Sequence, residues 1–399
     1  MPKSDDRTSS GIYLGRREFM CQLARTAILA TSGLGTIWGQ EGGKKEPTDG
    51  LIPRQKNPDN LEFPFPTLDS FMTPNEKFYV RNHFEQPKID ASSWRLKIEG
   101  AVKRELEVSL DDLKRLPSRT VTATLECAGN CRAFLEPKVK GVPWQLGAVG
   151  NAEWTGVPLA AVLERAGLDA SAVDVILEGA DTGEITADIR PAGKIHFARG
   201  LPFSKVRSPD VILAYQMNGV DLPPAHGFPL RAVVPGWYGV ASIKWLQRII
   251  VSPRPFNGYF QSIDYSFFRT ERNGVTRMLP ISELQVKAEI ARPASGETIK
   301  RDTDYRIRGV AWTSEAEISK VDVSTDGGLS WREAKLQGLN IKNAWRFWSY
   351  QWHTPGKKGN VRIMARATDS WERLQPLERD PNRRNYMISH VLPVDVTIS

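Results

Sequence analysis

Cysteine is scarce in this chain, and none of it is spaced for a scaffold. Its 399 residues hold three cysteines, Cys21, Cys127 and Cys131. Three are too few for a disulfide framework, and no CxxC pair reads as a zinc site, nor any CxxCH as a c-type haem attachment. Redox chemistry in this chain would therefore rest on a group other than covalently bound haem. Long uncharged apolar runs are also missing, and mean hydropathy is −0.38, which excludes a polytopic membrane protein. Neither HExxH nor GxSxG occurs, so the motifs make no case for a hydrolase. The charge is not balanced: 54 basic against 46 acidic residues give a formal +8. The basic residues are scattered rather than massed in one run, which argues against a nucleic-acid-binding tail. An anionic partner of some kind fits the excess.

Length sets the organisation, because a chain of this size is long for one hydrophobic core. The first fifty residues read as an address rather than structure. Arg16-Arg17-Glu18-Phe19-Met20 is a twin-arginine pair with a bulky apolar residue after it, and a mildly apolar stretch follows from Thr26 to Trp38. That order fits a twin-arginine export signal and a periplasmic protein, with no integral membrane span after processing. Export in the folded state suits a protein that receives its cofactor in the cytoplasm.

From 51 to 280 short strands and helices alternate without a repeat, the pattern of an α+β domain with mixed sheets. Leu51 to Asp69 is Pro-rich and irregular. Trp94, Leu96 and Ile98 mark a half-buried strand, Ser109 caps a short helix, and Pro158 to Gly167 frames another. From 281 to 399 helical periodicity is almost gone. Period-two runs at Tyr305–Ile307, Val321–Thr325 and Val361–Ala367, with a hairpin signal at Asp326-Gly327, predict an antiparallel sandwich of about a hundred residues.

The most informative segment is Thr124-Leu125-Glu126-Cys127-Ala128-Gly129-Asn130. Alternation puts Val121, Ala123, Leu125 and Cys127 on one face of a strand, with Thr120, Thr122, Thr124 and Glu126 on the other. Cys127 then stands at the strand's C-terminal end, where loops commonly build sites, and Ala128-Gly129 allows a tight turn. A thiolate there could serve as nucleophile, disulfide partner or metal ligand, or the residue could pack as a small hydrophobe. Basic groups lead into several apolar stretches: Arg81 and His83, Arg132, His226 and Arg231, and Lys244. Arg and Lys are seldom buried unless paired, so together they favour a pocket for a multiply charged anion.

Four ordered motifs carry a resemblance. Phe78-Tyr79-Val80-Arg81-Asn82-His83, then Leu125 to Asn130, then His226-Gly227-Phe228-Pro229-Leu230-Arg231, then Val234-Pro235-Gly236-Trp237-Tyr238-Gly239 with Lys244-Trp245-Leu246, follow the order seen in the sulfite oxidase family of molybdenum-cofactor oxidoreductases. The likeness spans nearly the whole chain after about residue 60. Val323 to Gly328 with Trp331 resembles the family's immunoglobulin-like dimerisation domain.

The resemblance implies that Cys127 is the single protein thiolate on molybdenum, beside the dithiolene of one molybdopterin. Soft sulfur ligands suit such a metal. Arg81, Asn82, His83, Asp181, His226, Arg231, Ser242, Ile243 and Lys244 match positions that hold the pterin and its phosphate. Arg81, Arg132 and Tyr265 match the substrate pocket, with His83 near enough to serve there too, and Arg384 matches an arginine from the second domain. The implied reaction is oxidation of sulfite to sulfate, with electrons passed to an external acceptor such as a c-type cytochrome, in a homodimer. A sulfane or other sulfur-compound dehydrogenase, and a sulfoxide reductase, are the competing readings. The chain departs from the family pattern at Cys131, where arginine or glycine is common, and around Arg384, where Pro381-Asn382-Arg383-Arg384-Asn385 lacks the usual tryptophan and glycine. No cytochrome b5-like segment is recognisable ahead of the molybdenum domain, so this chain is expected to carry no haem.

Overall fold

The computed structural model describes residues 50–399. The twin-arginine segment and Cys21 lie outside the described residues. Within them helices are few and short, and no helix is long and apolar enough to cross a membrane.

Two five-stranded sheets form the first half. In one, Val220–Asp221, Ile212–Met217, Val149–Pro158 and Arg119–Glu126 run antiparallel in that order, and Arg231–Val233 adds to Ile212–Met217. In the other the order is Leu106–Val108, Leu96–Gly100, Leu246–Ser252, Asp174–Glu184 and Lys194–Pro202. Leu96–Gly100 and Leu246–Ser252 pair in parallel while the remaining neighbours are antiparallel, so the sheet is mixed, as the α+β reading expects. Side chains such as Leu96, Ile98, Val157, Leu177, Leu213 and Ile249 form the shared core.

The local signals hold where they are strongest. Ser109 and Asp112 close a capping box on the Leu110–Lys114 helix, satisfying donors that a helix start leaves free. Gly167, at φ +69°, ends the Leu159–Ala166 helix. The Pro-rich segment is less irregular than its composition implies, since Ile52–Gln55 and Asn60–Glu62 pair as a small hairpin.

The second half is a sandwich. One sheet runs Lys287–Arg292, Asp304–Trp312, Arg346–His353, Lys335–Gln337. The other runs Thr298–Ile299, Val394–Ile398, Gly359–Asp369, Ile318–Ser324, Arg332–Glu333. Ile307, Val321, Val323, Trp348, Ile363 and Ala367 fill the space between them. The Asp326-Gly327 turn exists, but the ladder resumes only at Val323 opposite Arg332. Asp326 holds the longer loop by accepting from the Ser330 backbone and hydroxyl.

One strand is buried beyond what alternation predicts. On Arg119–Glu126 the polar-face residues Thr124 and Glu126 are as enclosed as Leu125. Residues of the second half cover that face: the Thr124 amide donates to the Asn343 carbonyl, and Trp345 donates to the Thr124 hydroxyl.

Candidate active site

The Arg119–Glu126 strand delivers Cys127 to the wall of a cavity between the two sheets. Its amide donates to the Ala148 carbonyl at 2.9 Å, and its carbonyl accepts from Asn130 at 2.9 Å, closing the turn that aims the side chain. The thiol is unpaired and buried. Around it stand Tyr79, Arg81, His83, Asp181, Phe197, His226, Arg231, Ser242, Lys244 and Tyr265. These residues come from six separate stretches of chain, and the fold brings them together.

The cations here are satisfied mainly by neutral acceptors. Arg231 donates to the His226 carbonyl at 2.9 Å and the Ser242 carbonyl at 3.1 Å, and its guanidinium lies 4.7 Å over the Trp154 ring. Lys244 donates to the Ala225 carbonyl at 2.9 Å and to the Asn82 side-chain oxygen. Arg81 reaches Asn60 and the Tyr265 hydroxyl, each at 3.3 Å. Asp181 is the one acid on the cavity wall, and burial lifts its carboxyl to about 7, against the pull of Lys244. Burial also lowers the Arg231 guanidinium to about 10 and depresses Lys244. Positive charge held this deep without an anion is costly, because desolvation is not repaid. An anionic ligand in the cavity would repay it.

Both imidazoles are neutral. Burial, with Lys244 nearby, drives His226 down to about 3, and burial with Arg81 drives His83 well below its ordinary value. His83 Nε2 lies 2.6 Å from the Tyr265 hydroxyl, and the ring stacks on Phe197 at 4.0 Å. Burial outweighs Arg81 and pushes Tyr265 up to about 12, so the phenol keeps its proton at neutral pH.

Nine of the residues expected from sequence line this cavity: Arg81, His83, Cys127, Asp181, His226, Arg231, Ser242, Lys244 and Tyr265. The other four stand behind it. Asn82 holds Lys244. Ile243 is core, and its carbonyl accepts from Ala232. Arg132 does not reach the wall. It donates to the Val142 and Asn385 carbonyls and lies 5.1 Å over the Tyr386 ring. A Cβ on Gly129 would come within 2.2 Å of its guanidinium, so the glycine makes room for it. Arg384 turns to the backbone beside Tyr265, donating to the Ile263 carbonyl at 2.9 Å and the Ser266 hydroxyl at 2.7 Å. Sequence reasoning missed Tyr79, Phe197 and Tyr386. Tyr386 tilts against Tyr265 at 4.7 Å and donates to Asp264 at 2.6 Å. Only Tyr79 carried a signal, its place inside the Phe78–His83 motif.

Among the described residues no group of three or more His, Cys, Asp or Glu side chains could hold a metal by itself. A metal on Cys127 would take its remaining ligands from a cofactor, and the surplus of positive charge beside the thiol fits one that carries phosphate.

Residues 83–260 match the family model of the oxidoreductase molybdopterin-binding domain, and residues 278–391 match that of the Mo-co oxidoreductase dimerisation domain. Chicken (Gallus gallus) sulfite oxidase is 37% identical over 344 residues, covering 82% of this chain and 73% of that protein. The chain belongs to the sulfite oxidase family. Mitochondrial sulfite oxidase of rat (Rattus norvegicus) is likewise 37% identical, over 338 residues that are 80% of this chain. The match spans 60% of the rat protein's length. Among solved structures of similar fold is the sulfane dehydrogenase SoxCD from Paracoccus pantotrophus, with a TM-score of 0.73 at 25% identity over 86% of this chain and 88% of that one. Most of the cavity lining around Cys127 falls within the residues matched to the molybdopterin-binding domain, with Phe78, Tyr79 and Arg81 just ahead of them and Tyr265 just beyond.

Proposed function

We propose that this chain is a molybdopterin-dependent oxidoreductase that converts sulfite to sulfate. The observation that carries the reading is the unpaired Cys127 thiol opening onto a cavity whose cations outnumber its acids. When bound, the molybdenum centre supplies the oxygen atom and accepts two electrons; over a cycle, sulfite and water give sulfate, two protons and two electrons. All the rest is the protein's part. Cys127 holds the metal. Arg231, Lys244, Ser242, His226 and Asp181 would hold the pterin and its phosphate. Arg81 and Tyr265 bind sulfite oxygens, and neutral His83 accepts from or donates to the Tyr265 hydroxyl as protons leave. Arg132 adds positive potential from behind the turn. Among side chains as buried as Asp181, His226, Arg231 and Tyr265, each of these charges acts more strongly than it would in solution.

The electrons go to an external acceptor, for which a c-type cytochrome is the expected class. The matched dimerisation domain supports a homodimer, and the twin-arginine segment supports a periplasmic location. The likeness to a sulfane dehydrogenase favours one second reading, a sulfur-compound dehydrogenase working with a partner subunit. A sulfoxide reductase is disfavoured, since a neutral substrate leaves Arg81 uncompensated.

The test is metal and pterin analysis of the purified protein with steady-state assays of sulfite and thiosulfate, using ferricyanide or cytochrome c as acceptor, and of a sulfoxide, using a reduced viologen dye as donor. About one molybdenum per chain and sulfite-dependent reduction are expected, and Cys127→Ser should abolish turnover. Active wild-type protein free of molybdenum would overturn the reading.

A further inference from the structure

Cys127 faces the cavity, but the residue before it faces the other way. The Glu126 side chain enters a charged cluster fully enclosed between the two halves of the chain. One carboxylate oxygen accepts from Lys287 at 3.0 Å and from the Asn130 side chain at 3.2 Å. The other accepts from the Trp312 indole at 2.9 Å. Lys287 and Glu126 are 1% and 2% exposed. Lys287 also contacts Glu289 at 3.1 Å and the Cys131 sulfur at 3.1 Å. Burial works against the Lys287 ammonium, yet Cys131, Glu126 and Glu289 outweigh it and hold its pKa well above the ordinary value.

The geometry is specific to the metal-binding turn. Glu126 and Asn130 bracket Cys127 to Gly129, so one carboxylate fastens both ends of the turn. Asn130 also accepts from the Ala148 amide at 3.0 Å, and the Ala148 carbonyl takes the Cys127 amide. Lys287 and Trp312 come from the sandwich, where they sit directly opposite one another on neighbouring strands. That pairing aims both donors at the same carboxylate. A third tie runs from the Met387 amide to the Ala128 carbonyl at 2.8 Å. Stability does not account for such a cluster, because well-packed apolar residues in place of a buried ion pair are often neutral or better. What a buried network does provide is one defined arrangement.

We propose that Lys287 and Trp312 are positioning residues for the metal thiolate, acting through Glu126 so that the sandwich domain fixes the direction of Cys127. The inference rests on the reading of Cys127 as the molybdenum ligand. It gives the second domain a part in the chemistry besides assembly. Cys131 belongs to this cluster rather than to the metal, since its sulfur lies against Lys287 and Glu289.

The experiment uses the full-length holoenzyme with E126Q/K287M, which removes the ion pair at similar volume, and with W312F, which removes one hydrogen bond. Molybdenum and pterin content, melting temperature, the paramagnetic resonance spectrum of the one-electron-reduced metal, and kcat against KM are measured. The double variant should melt below the wild type, because Glu289 loses its buried ammonium partner. The molybdenum it retains should show an altered spectrum and a kcat per molybdenum lower by about tenfold or more, as a misplaced reacting group does. KM for sulfite should be unchanged, since the cluster does not touch the substrate pocket. W312F should shift the spectrum the same way by less, and it decides the matter if the double variant fails to fold. Full molybdenum with a wild-type spectrum and kcat in the variants would overturn the positioning role. Wild-type protein without molybdenum would instead overturn the metal reading beneath it.

Discussion

Replacing Arg81 by glutamine tests the substrate half of the site. The guanidinium lines the cavity and meets the Tyr265 hydroxyl at 3.3 Å, so a sulfite oxygen beside Tyr265 would lie within its reach. Glutamine keeps a neutral donor but loses the charge, and a hydrogen bond to a charged group contributes about 1.5–3 kcal/mol. At about 1.4 kcal/mol per decade, KM for sulfite should rise about ten- to over a hundredfold. The fall in kcat should be smaller, because the side chain binds substrate and does not hold the metal. Arg81 also braces Asn60 and the Asn82 carbonyl, so some loss of melting temperature is expected. Molybdenum and pterin content must therefore be measured beside the kinetics. R81K, which restores charge without the fork, should recover part of the loss. An unchanged KM in R81Q at full molybdenum content would refute the assignment and move substrate binding elsewhere.

The remaining expectations concern other groups. Asp181, raised by burial from 3.8 to about 7, favours folding of the cofactor-free protein fully below about pH 3.8 and loses that contribution as pH rises through about 7. D181N should flatten the stability-versus-pH curve across that window, and an identical slope in denaturant titrations would refute it. Cys131→Ser should keep molybdenum and turnover near wild type, because the sulfur faces Lys287 and Glu289 rather than the cavity; loss of metal as complete as in Cys127→Ser would show the ligand to be misassigned. R132Q should raise KM less than R81Q does, as Arg132 stands behind the wall, and an equal or larger effect would place it in the pocket. Sedimentation of the full chain should return twice the chain mass, and a monomer at working concentration would refute dimerisation.

Much of the architecture was legible because it rests on local signals. The capped Leu110–Lys114 helix, the Gly167 stop and the alternation of Gly359–Asp369 each depend on residues within one turn or one strand. Nine site residues were legible for a different reason: their order along the chain matches a family, and no periodicity placed His226 near Cys127. The parts that were not legible share a cause. Alternation put Thr124 and Glu126 on the face away from Cys127 without showing that it is covered, since a strand's pattern records polarity and not what another domain lays over it. Arg132 and Arg384 were expected at the pocket because the resemblance to the family implied it. Their guanidinium groups instead satisfy backbone carbonyls in loops whose positions only the tertiary fold determines.

The charge pattern of the cavity bears on substrate class as well as on cofactor. Arg81, Arg231 and Lys244 face one acid, and burial raises that acid to about 7, so it carries only part of its charge at neutral pH. A phosphate-bearing pterin beside Arg231 and Lys244 would compensate those two cations and leave Arg81, across the cavity by Tyr265, still unmatched. Two unit charges at 4 Å attract by about 4 kcal/mol at an effective dielectric near 20. A dianion at Arg81 gains that attraction, whereas a sulfoxide of similar size gains only a dipole interaction. Discrimination therefore falls on one side chain rather than on cavity shape. Removing the Arg81 charge should weaken sulfite far more than any neutral sulfur compound, and it is the ratio of the two, more than either constant alone, that distinguishes an anion-oxidising site from a reductase.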